Sequence, residues 1–344
     1  MKIQTNNLSE KDLESWNNFL RNHPHNTIFQ SPEFYDFYKS VKNFSPYVFI
    51  ARNDNNRIIG VLLAVIIREH SNIYGYFSSR AVIYGGPLID EKHKNKEELL
   101  NQILKTLVKK LKYKTIFIQF RNFFNFQDNL KKIFYENGFS YFDRINLLVN
   151  TVNKDQTLKE ISNSKLRQIK AGLKKGCIIR PPKDINEVRI FYEMLYNLYR
   201  YKVIKPLPGW SFFEQFYYAT KEDKLGIIRL IIKEKNIIGG ILSPVTPGRN
   251  IYEWYVFGLD KEYKKSYPSI LATWSPIDHA LNHKLDHLDF MGLGKPEEEY
   301  GVRDFKIKFG GKLVSYGRFG RKSNKIVYGI IELAYNFMRK LKRV

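Results

Sequence analysis

The feature of this sequence that most constrains its fold is an internal repeat. The segment RNDNNRIIGVLLAVI at 52–66 has two apolar runs around a polar turn, and IKEKNIIGGILSPV at 232–245 repeats that pattern, which is typical of a β-hairpin. In both halves the hairpin is followed by a strand, a helix, a second strand, a second helix with glycine at its end, and a final strand. The repeat predicts two copies of one mixed α/β unit.

The length of 344 residues supports this duplication, because a single core stops growing at about 250 to 300 residues. The predicted domains are residues 1–152 and 153–323, followed by a basic amphipathic helix at 324–344. Helical spacing at 161–176 connects the two halves, and Asp184 is predicted to cap the helix behind it.

The chain carries a large excess of positive charge, with 57 Lys and Arg against 34 Asp and Glu and a net charge of +23. This charge predicts an anionic partner, which is a nucleic acid, a phosphorylated substrate or an acidic membrane surface. The alternative is that the basic residues only form a solvated face. The single cysteine, Cys177, excludes an internal disulfide and favours a cytoplasmic location. The longest apolar run, at 58–67, is shorter than the about 20 residues that a membrane-spanning helix needs.

The segment GVRDFKIKFGG at 301–311 permits two secondary structures. A helix would bury Val302, Phe305 and Phe309 on one stripe, whereas the alternation in FKIKF favours a strand. The repeat favours the helix, because Gly138 ends the matching segment of the first half as the glycine pair ends this one.

With its order of elements, the duplicated unit resembles the GNAT acyltransferase fold. Together with SKLRQIKAGLKKG at 164–176, LDFMGL at 288–293 and GVRDFKIKFGG, that order resembles the Fem family of peptidoglycan interpeptide-bridge aminoacyltransferases, in a short type without a coiled-coil arm. The resemblance extends from residue 27 to about residue 321. It implies an α/β (mixed α+β) fold class, with two tandem GNAT-like domains that each have a twisted sheet flanked by helices.

The resemblance also implies an activity. An enzyme of this family transfers an amino acid from aminoacyl-tRNA to an amine of a phosphorylated or lipid-linked cell-wall precursor. The resemblance places Phe305 and Lys306 in the active site as catalytic candidates, with Lys306 near the reacting carbonyl or a substrate phosphate. From composition alone, Lys306 is one exposed lysine among many. We expect no cofactor, no metal and a monomer.

Further site residues follow from the resemblance. The tyrosines among them could equally belong to the core, since aromatic residues are common in buried strands. The candidate substrate-binding residues are Lys39, Arg200, Tyr252, Tyr255 and Arg303. The basic helix supplies candidates for tRNA or phosphate binding, which are Lys165, Arg167, Lys170, Lys174 and Lys175.

Two other function classes stay open. Neither half has the glycine-rich turn with which GNAT enzymes hold the coenzyme A pyrophosphate, and Pro268 removes an amide donor at the corresponding place. The first alternative is nevertheless an acyl-coenzyme A N-acyltransferase acting on a sugar amine or lipid head group. The second is a non-catalytic module that binds polyanions.

A histidine series and the C-terminal segment each permit two interpretations. His279, His283 and His287 recur every four residues, which is compatible with metal ligands but lacks a convincing third ligand. Residues 325–344 have helical apolar spacing and four basic residues near the end. This pattern predicts an amphipathic helix that either packs on the second domain or attaches peripherally to the anionic inner membrane face.

Overall fold

The computed structural model describes residues 2–70, 73–203, 206–221, 224–298 and 301–341, without the side chains of Ile73 and of residues 334–341. The chain forms two compact units. Unit 1 consists of Met1–Asp143 and Tyr316–Val344, and unit 2 consists of Arg144–Ser315.

The helices and strands follow the repeated order that the sequence predicts. Residues 1–143 form β1 (Lys2–Thr5), α1 (Glu10–Arg21), α2 (Pro32–Ser40), β2 (Phe44–Arg52), β3 (Ile58–Ile67), β4 (Arg80–Tyr84), β5 (Leu88–Ile89), α3 (Lys96–Leu111), β6 (Phe117–Arg121), α4 (Asp128–Glu136) and β7 (Ser140–Phe142). Residues 144–315 form β8 (Ile145–Asn150), α5 (Lys154–Glu160), α6 (Asn163–Lys174), β9 (Ile178–Arg180), α7 (Ile185–Leu198), α8 (Trp210–Lys221), β10 (Gly226–Lys233), β11 (Asn236–Thr246), β12 (Asn250–Tyr252), β13 (Tyr255–Gly258), α9 (Pro268–Asn282), β14 (His287–Asp289), α10 (Gly301–Ile307) and β15 (Lys312–Ser315). The remaining elements are β16 (Arg318–Lys322), α11 (Lys325–Leu341), short 3-10 turns at Ile28–Gln30 and Ile73–Tyr76, and a π-helical turn at Tyr199–Val203.

In unit 1, the sheet has the strand order β1-β2-β3-β4-β6-β16-β7, with β5 paired to β3. Helix α3 covers it with a continuous apolar face that includes Leu99, Ile103 and Leu107. The predicted hairpin at 52–66 is confirmed by the antiparallel pair of β2 and β3, and every residue of β3 except the last is buried.

In unit 2, the sheet has the strand order β15-β8-β14-β12-β11-β10-β9, with β13 paired to β11. Helix α9 packs on it through residues that include Ile270, Leu271 and Ile277. The predicted cap on α7 is also present, because the Asp184 carboxylate accepts hydrogen bonds from the backbone N–H groups of Asn186 and Glu187.

In each unit, two neighbouring parallel strands separate at an equivalent position of the sheet. In unit 2, β12 and β14 run parallel up to the pair Tyr252 and Asp289, and the Glu253 N–H then donates to the Asp289 carbonyl at 2.9 Å. Beyond this bond the chain continues as β13 beside β11, away from β14. We call this opening the splay. In unit 1, the matching bond joins the Gly85 N–H to the Arg121 carbonyl, also at 2.9 Å.

The units differ from the predicted domains at both boundaries. Strand β8 precedes the predicted boundary at 152 but lies between β14 and β15 of the unit 2 sheet. Strand β16 precedes the predicted boundary at 323 but lies between β6 and β7 of the unit 1 sheet. Each sheet is therefore completed by a strand from the other half of the sequence, which local sequence patterns do not reveal.

Two helix predictions require correction. The segment at 301–307 is helical as predicted, but Val302 is 43% exposed, so its assignment to the buried stripe was wrong. Helix α11 forms as predicted but belongs to unit 1 rather than to the second domain, and the Tyr328 ring packs against Phe117 of β6 at 5.3 Å. Within the described ranges, the structure has no helix of sufficient length and apolarity to cross a bilayer.

Candidate active site

The end of β14 and the helix α10 together position Lys306. After β14 the chain turns through Met291, whose φ is +57°, and leads to a loop at 293–296. The Arg303 guanidinium donates to the backbone carbonyls of Leu293, Lys295 and Pro296 of this loop. Arg303 therefore fixes α10 against the loop, and its predicted contact with substrate stays a prediction.

Lys306 is buried in the splay and paired with an acid. Only 8% of Lys306 and 3% of Glu253 are exposed, and the Lys306 Nζ lies 2.6 Å from the Glu253 Oε1. The same ammonium lies 3.4 Å from the Phe290 carbonyl oxygen and 4.9 Å from the centre of the Phe290 ring. Since a buried charge needs a partner, Glu253 accounts for the position of this lysine inside the protein.

One carboxylate oxygen of Glu253 has no hydrogen-bond donor among the described residues. Its Oε2 is buried, and among the described residues no group donates a hydrogen bond to it. The two acids at the splay are held together through their backbones, because the Glu253 N–H donates to the Asp289 carbonyl. The site thus combines a fixed ammonium with a buried carboxylate oxygen that has no hydrogen-bond donor among the described residues.

Asp289 is the second acid at the splay. Its Oδ1 accepts the Asn146 side-chain amide at 2.7 Å and the Met291 N–H at 2.6 Å. Burial raises the pKa of Asp289 to about 6, against the lowering effect of these two hydrogen bonds and of the Lys306 charge. The folded protein therefore binds a proton at Asp289 more tightly than the unfolded chain, in which the pKa has its ordinary value of 3.8.

We expect the Asp289→Asn variant to lose one pH-dependent component of stability. In the native protein, protonation of Asp289 between pH 6 and pH 3.8 favours the folded state, so its contribution to the free energy of unfolding rises as the pH falls. The rise is at most about 3 kcal/mol. Urea unfolding of both proteins at pH 7, 5.5 and 4.5 measures it, since other titrating groups cancel in the difference. A pH-independent difference would contradict the raised pKa.

Phe305 and Lys165, two residues that the sequence analysis assigned to separate sites, lie in contact. The Lys165 Nζ lies 4.1 Å from the centre of the Phe305 ring and 5.6 Å from that of Phe309. Lys165 is buried, and burial together with the nearby Lys308 lowers its pKa. Lys165 thus differs from the other four basic residues predicted on α6, whose side chains reach solvent. Those exposed residues are Arg167, Lys170, Lys174 and Lys175.

The two tyrosines occupy different environments. Tyr252 is buried, and its hydroxyl lies 3.3 Å from the Thr246 Oγ1, so it belongs to the core of unit 2. Tyr255 is half-buried in a group of aromatic rings at the start of β13. Its ring contacts are Tyr199 at 6.2 Å, Phe212 at 5.7 Å, Phe213 at 5.4 Å and Trp254 at 5.7 Å.

Two predicted phosphate or substrate contacts lie on the surface. Arg200 is exposed in the π-helical turn, directly after the Tyr199 that contacts Tyr255, and it stacks on Tyr201. Lys39 is exposed at the end of α2 in unit 1, 5.5 Å from the centre of the Tyr35 ring. Their binding roles stay predictions.

Unit 1 lacks the acid–lysine pair at its own splay. At the positions that correspond to Glu253 and Asp289, the matching backbone bond joins Gly85 and Arg121. Counted back from Gly138 and Gly310, whose N–H groups close the ends of the two helices in the same way, the residue that corresponds to Lys306 is Phe134, which is buried in the core. Only unit 2, among the residues described, therefore places an ammonium and a carboxylate at the separation of the strands.

Sequence reasoning missed Glu253 and Asp289. The available signal was weak: Glu253 is an acid between apolar strand residues in NIYEWYVFG, and Asp289 lies inside the quoted LDFMGL motif. An acid within an apolar strand needs a partner in the folded protein. The sequence did not show that the partner was Lys306.

The beginning of α9 is occupied by the protein's own groups. Pro268 has no N–H, and the Ser269 N–H donates to the Asp260 carboxylate at 3.1 Å. The next two N–H groups, of Ile270 and Leu271, donate to the Tyr267 carbonyl. A pyrophosphate at this helix end would meet a carboxylate instead of open amides.

The histidine series does not form a metal site within the described residues. The His279 and His283 rings stack at 3.9 Å, and the His283 Nδ1 lies 2.9 Å from the His279 carbonyl oxygen. Burial, with smaller contributions from His283 and Arg229, lowers the pKa of His279 to about 4.

Several solved structures share the fold of this protein. FemX shares the fold over 96% of this chain and all of that chain, with a TM-score of 0.70 and 15% identity. A tandem GNAT protein from the clavulanic acid biosynthesis pathway covers 94% of this chain, with a TM-score of 0.59 and 8% identity. L-PGS from Bacillus licheniformis covers 95%, with a TM-score of 0.57 and 11% identity. The protein has the tandem GNAT-like fold that the sequence predicts.

The sequence comparisons show similarity to one family over part of the chain. The FemAB family model matches residues 233–336. The aminoacyltransferase FemA of Staphylococcus aureus is 30% identical over 94 residues, which are 26% of this chain and 21% of FemA. The matched region thus spans about a fifth of that relative. The predicted resemblance to the Fem family is confirmed, and the matched segment contains both Glu253 and Lys306.

Proposed function

We propose that this protein is an aminoacyltransferase that moves an amino acid from aminoacyl-tRNA to an amine of a peptidoglycan-type precursor. The observation that carries the proposal is the buried Lys306–Glu253 pair at the splay of unit 2, inside the segment that matches the FemAB family model. Its acceptor is a phosphorylated or lipid-linked cell-wall precursor.

The pair suits acyl transfer to an amine. The amine nitrogen attacks the ester carbonyl carbon, and the carbonyl oxygen acquires negative charge, which the Lys306 ammonium stabilises by donating a hydrogen bond. The Glu253 Oε2, to which no described group donates a hydrogen bond, accepts the proton that the amine loses. When the carbon–oxygen bond of the ester breaks, the ribose oxygen leaves and takes up that proton.

The choice of donor rests on charge. Coenzyme A would need open amides at the start of α9, where the Asp260 carboxylate is bound to the Ser269 N–H. In unit 1, the first turn of the corresponding helix α3 carries Glu97 and Glu98, which repel a phosphate. By contrast, α6 presents exposed basic residues that suit the backbone of an RNA. These features favour aminoacyl-tRNA over acyl-coenzyme A.

We expect charge reversal on α6 to weaken tRNA binding. In the variant Lys170→Glu, Lys174→Glu, Lys175→Glu, each lost phosphate contact lowers the slope of log K against log salt by about 0.7 to 0.9. Filter binding of tRNA across a salt series measures both affinity and slope. The control reverses three exposed lysines of unit 1, Lys11, Lys92 and Lys94. An equal loss of tRNA affinity in both variants would show that binding depends on the overall positive charge and not on α6.

A transfer assay with a panel of charged tRNAs tests the donor directly. The expected result is amide formation on a precursor amine from at least one aminoacyl-tRNA. Parallel reactions with acyl-coenzyme A donors and detection of the released thiol test the first alternative. Turnover only with coenzyme A would overturn the proposed donor, and binding of polyanions without any turnover would favour the non-catalytic module.

A further inference from the structure

One end of the unit 1 sheet exposes apolar and aromatic side chains that the proposed reaction does not use. At this end β3 finishes, β4 and β6 begin, and β16 finishes, because β4 is antiparallel to β3 and parallel to β6, and β16 is antiparallel to β6. The splay of unit 1, at Gly85, lies at the opposite end of the same strands. We call the former end the basal face.

The basal face has an aliphatic stripe on α11. Ile326, Ile330 and Leu333 are 77%, 63% and 73% exposed, and their spacing puts them on one side of the helix. On another side, Tyr328 contacts Phe117 of β6 and lies under the Lys322 ammonium at 4.4 Å. The helix thus packs on unit 1 through one side and leaves a second apolar side in solvent.

Two loops beside the start of α11 add exposed aromatic rings. The Ser323 N–H donates to the Ile116 carbonyl, and the Ile116 N–H donates to the Ser79 carbonyl, so the loop at 112–116 and the described loop residues 68–70 and 73–79 adjoin the helix start. These loops expose Tyr74, Phe77 and Tyr113, which are between 47% and 79% exposed. Aromatic rings in such positions are characteristic of the boundary between water and lipid.

Positive charge surrounds these apolar groups. Lys112, Lys114 and Lys325 are exposed, and Lys112 lies 5.0 Å from the centre of the Tyr113 ring. Two exposed acids are also present, but Glu332 is paired with Lys322 at 3.3 Å, which leaves Glu69 in the loop. Two copies of this face would repel each other, whereas an anionic lipid surface matches both its charge and its apolar side chains.

We propose that the basal face of unit 1 binds the surface of an anionic bilayer. The aliphatic stripe of α11 and the rings of Tyr74, Phe77 and Tyr113 enter the interfacial region, and the surrounding lysines contact lipid phosphates. The proposal is independent of the proposed transfer reaction, since lipid binding needs neither donor nor acceptor.

Vesicle cosedimentation of the full chain tests the proposal. We expect strong binding to mixed phosphatidylglycerol–phosphatidylcholine vesicles and weak binding to phosphatidylcholine alone. The variant Ile326→Gln, Ile330→Gln, Leu333→Gln should bind at least roughly tenfold more weakly. A matched control replaces three exposed apolar residues of unit 2 with glutamine, which are Val152, Ile190 and Leu313, and it should bind like the native protein.

A fluorescent label gives a readout that does not depend on the stability of α11. Since Cys177 is buried, an environment-sensitive dye attached to Tyr113→Cys reports on the basal face. Its emission should shift to the blue on anionic vesicles, whereas a dye on Val152→Cys should not respond. Equal binding to neutral and anionic vesicles, or equal responses of both dyes, would overturn the proposal. So would a concentration-dependent dimer that the stripe variant abolishes, because the face would then belong to a second copy.

Discussion

We expect the Lys306→Met variant to transfer its amino acid roughly 10² to 10³ times more slowly than the native protein. The physical reason is the loss of the ammonium that donates to the developing oxyanion. Methionine preserves the approximate length of the side chain and removes the ammonium, which in the native protein lies 4.9 Å from the centre of the Phe290 ring. Single-turnover transfer from charged tRNA measures the effect on chemistry apart from product release.

The matched control is Lys308→Met, which removes an exposed lysine two residues further along the same FKIKF segment. It should keep activity within about twofold of the native value, since surface charges contribute little. Activity of Lys306→Met within the same twofold range would remove Lys306 from the reaction. A loss common to both variants would assign the effect to the charge of the segment.

We expect Glu253→Gln to destabilise the protein by about 3 to 5 kcal/mol, because it leaves the Lys306 ammonium buried without its acid. Lys306→Met alone should destabilise the protein by a similar amount, since it leaves the Glu253 carboxylate unpaired. The double variant Glu253→Gln, Lys306→Met should recover most of this loss, as it removes both charges together. Urea unfolding of the four proteins measures the coupling.

Activity separates the structural role of this pair from its chemical role. The double variant should fold as a stable protein and still lack transfer activity, because neither the oxyanion donor nor the proton acceptor is present. Additive losses of stability would contradict a direct pair at 2.6 Å. Substantial transfer by the stable double variant would show that the pair only maintains the fold.

The pH dependence of stability has opposing sources in unit 2, among them Asp289 and His279. Lowering the pH through 6 stabilises the folded state through Asp289, whose pKa is raised to about 6. It destabilises the folded state through His279, whose pKa is lowered to about 4, because the unfolded chain then binds the proton more readily. Comparison with Asp289→Asn therefore isolates the contribution of the Asp289 carboxyl to the pH dependence of stability.

The sequence by itself determined the local elements and their duplicated order. Helices α3 and α9 take the place that the repeated order gives the first helix after the hairpin, α11 follows from helical periodicity, and the helix at 301–307 follows from the glycines that end it and its partner in the first half. The Phe305–Lys306 motif also pointed to α10, where the structure places Lys306 beside Glu253. Such features depend on neighbours within a few turns of chain, so they are present in the sequence pattern.

Only the tertiary structure decided which distant groups meet. The sequence pattern does not state that β8 completes the sheet of unit 2 and β16 that of unit 1, because strand pairing is set by contacts far apart in the chain. For the same reason, neither the partnership of Lys306 with Glu253 nor the burial of Lys165 against Phe305 could be predicted. A lysine in an amphipathic pattern is exposed or buried according to the acid or ring that the fold brings to it. In unit 2, Lys306 is buried because it lies beside Glu253 where β13 separates from β14.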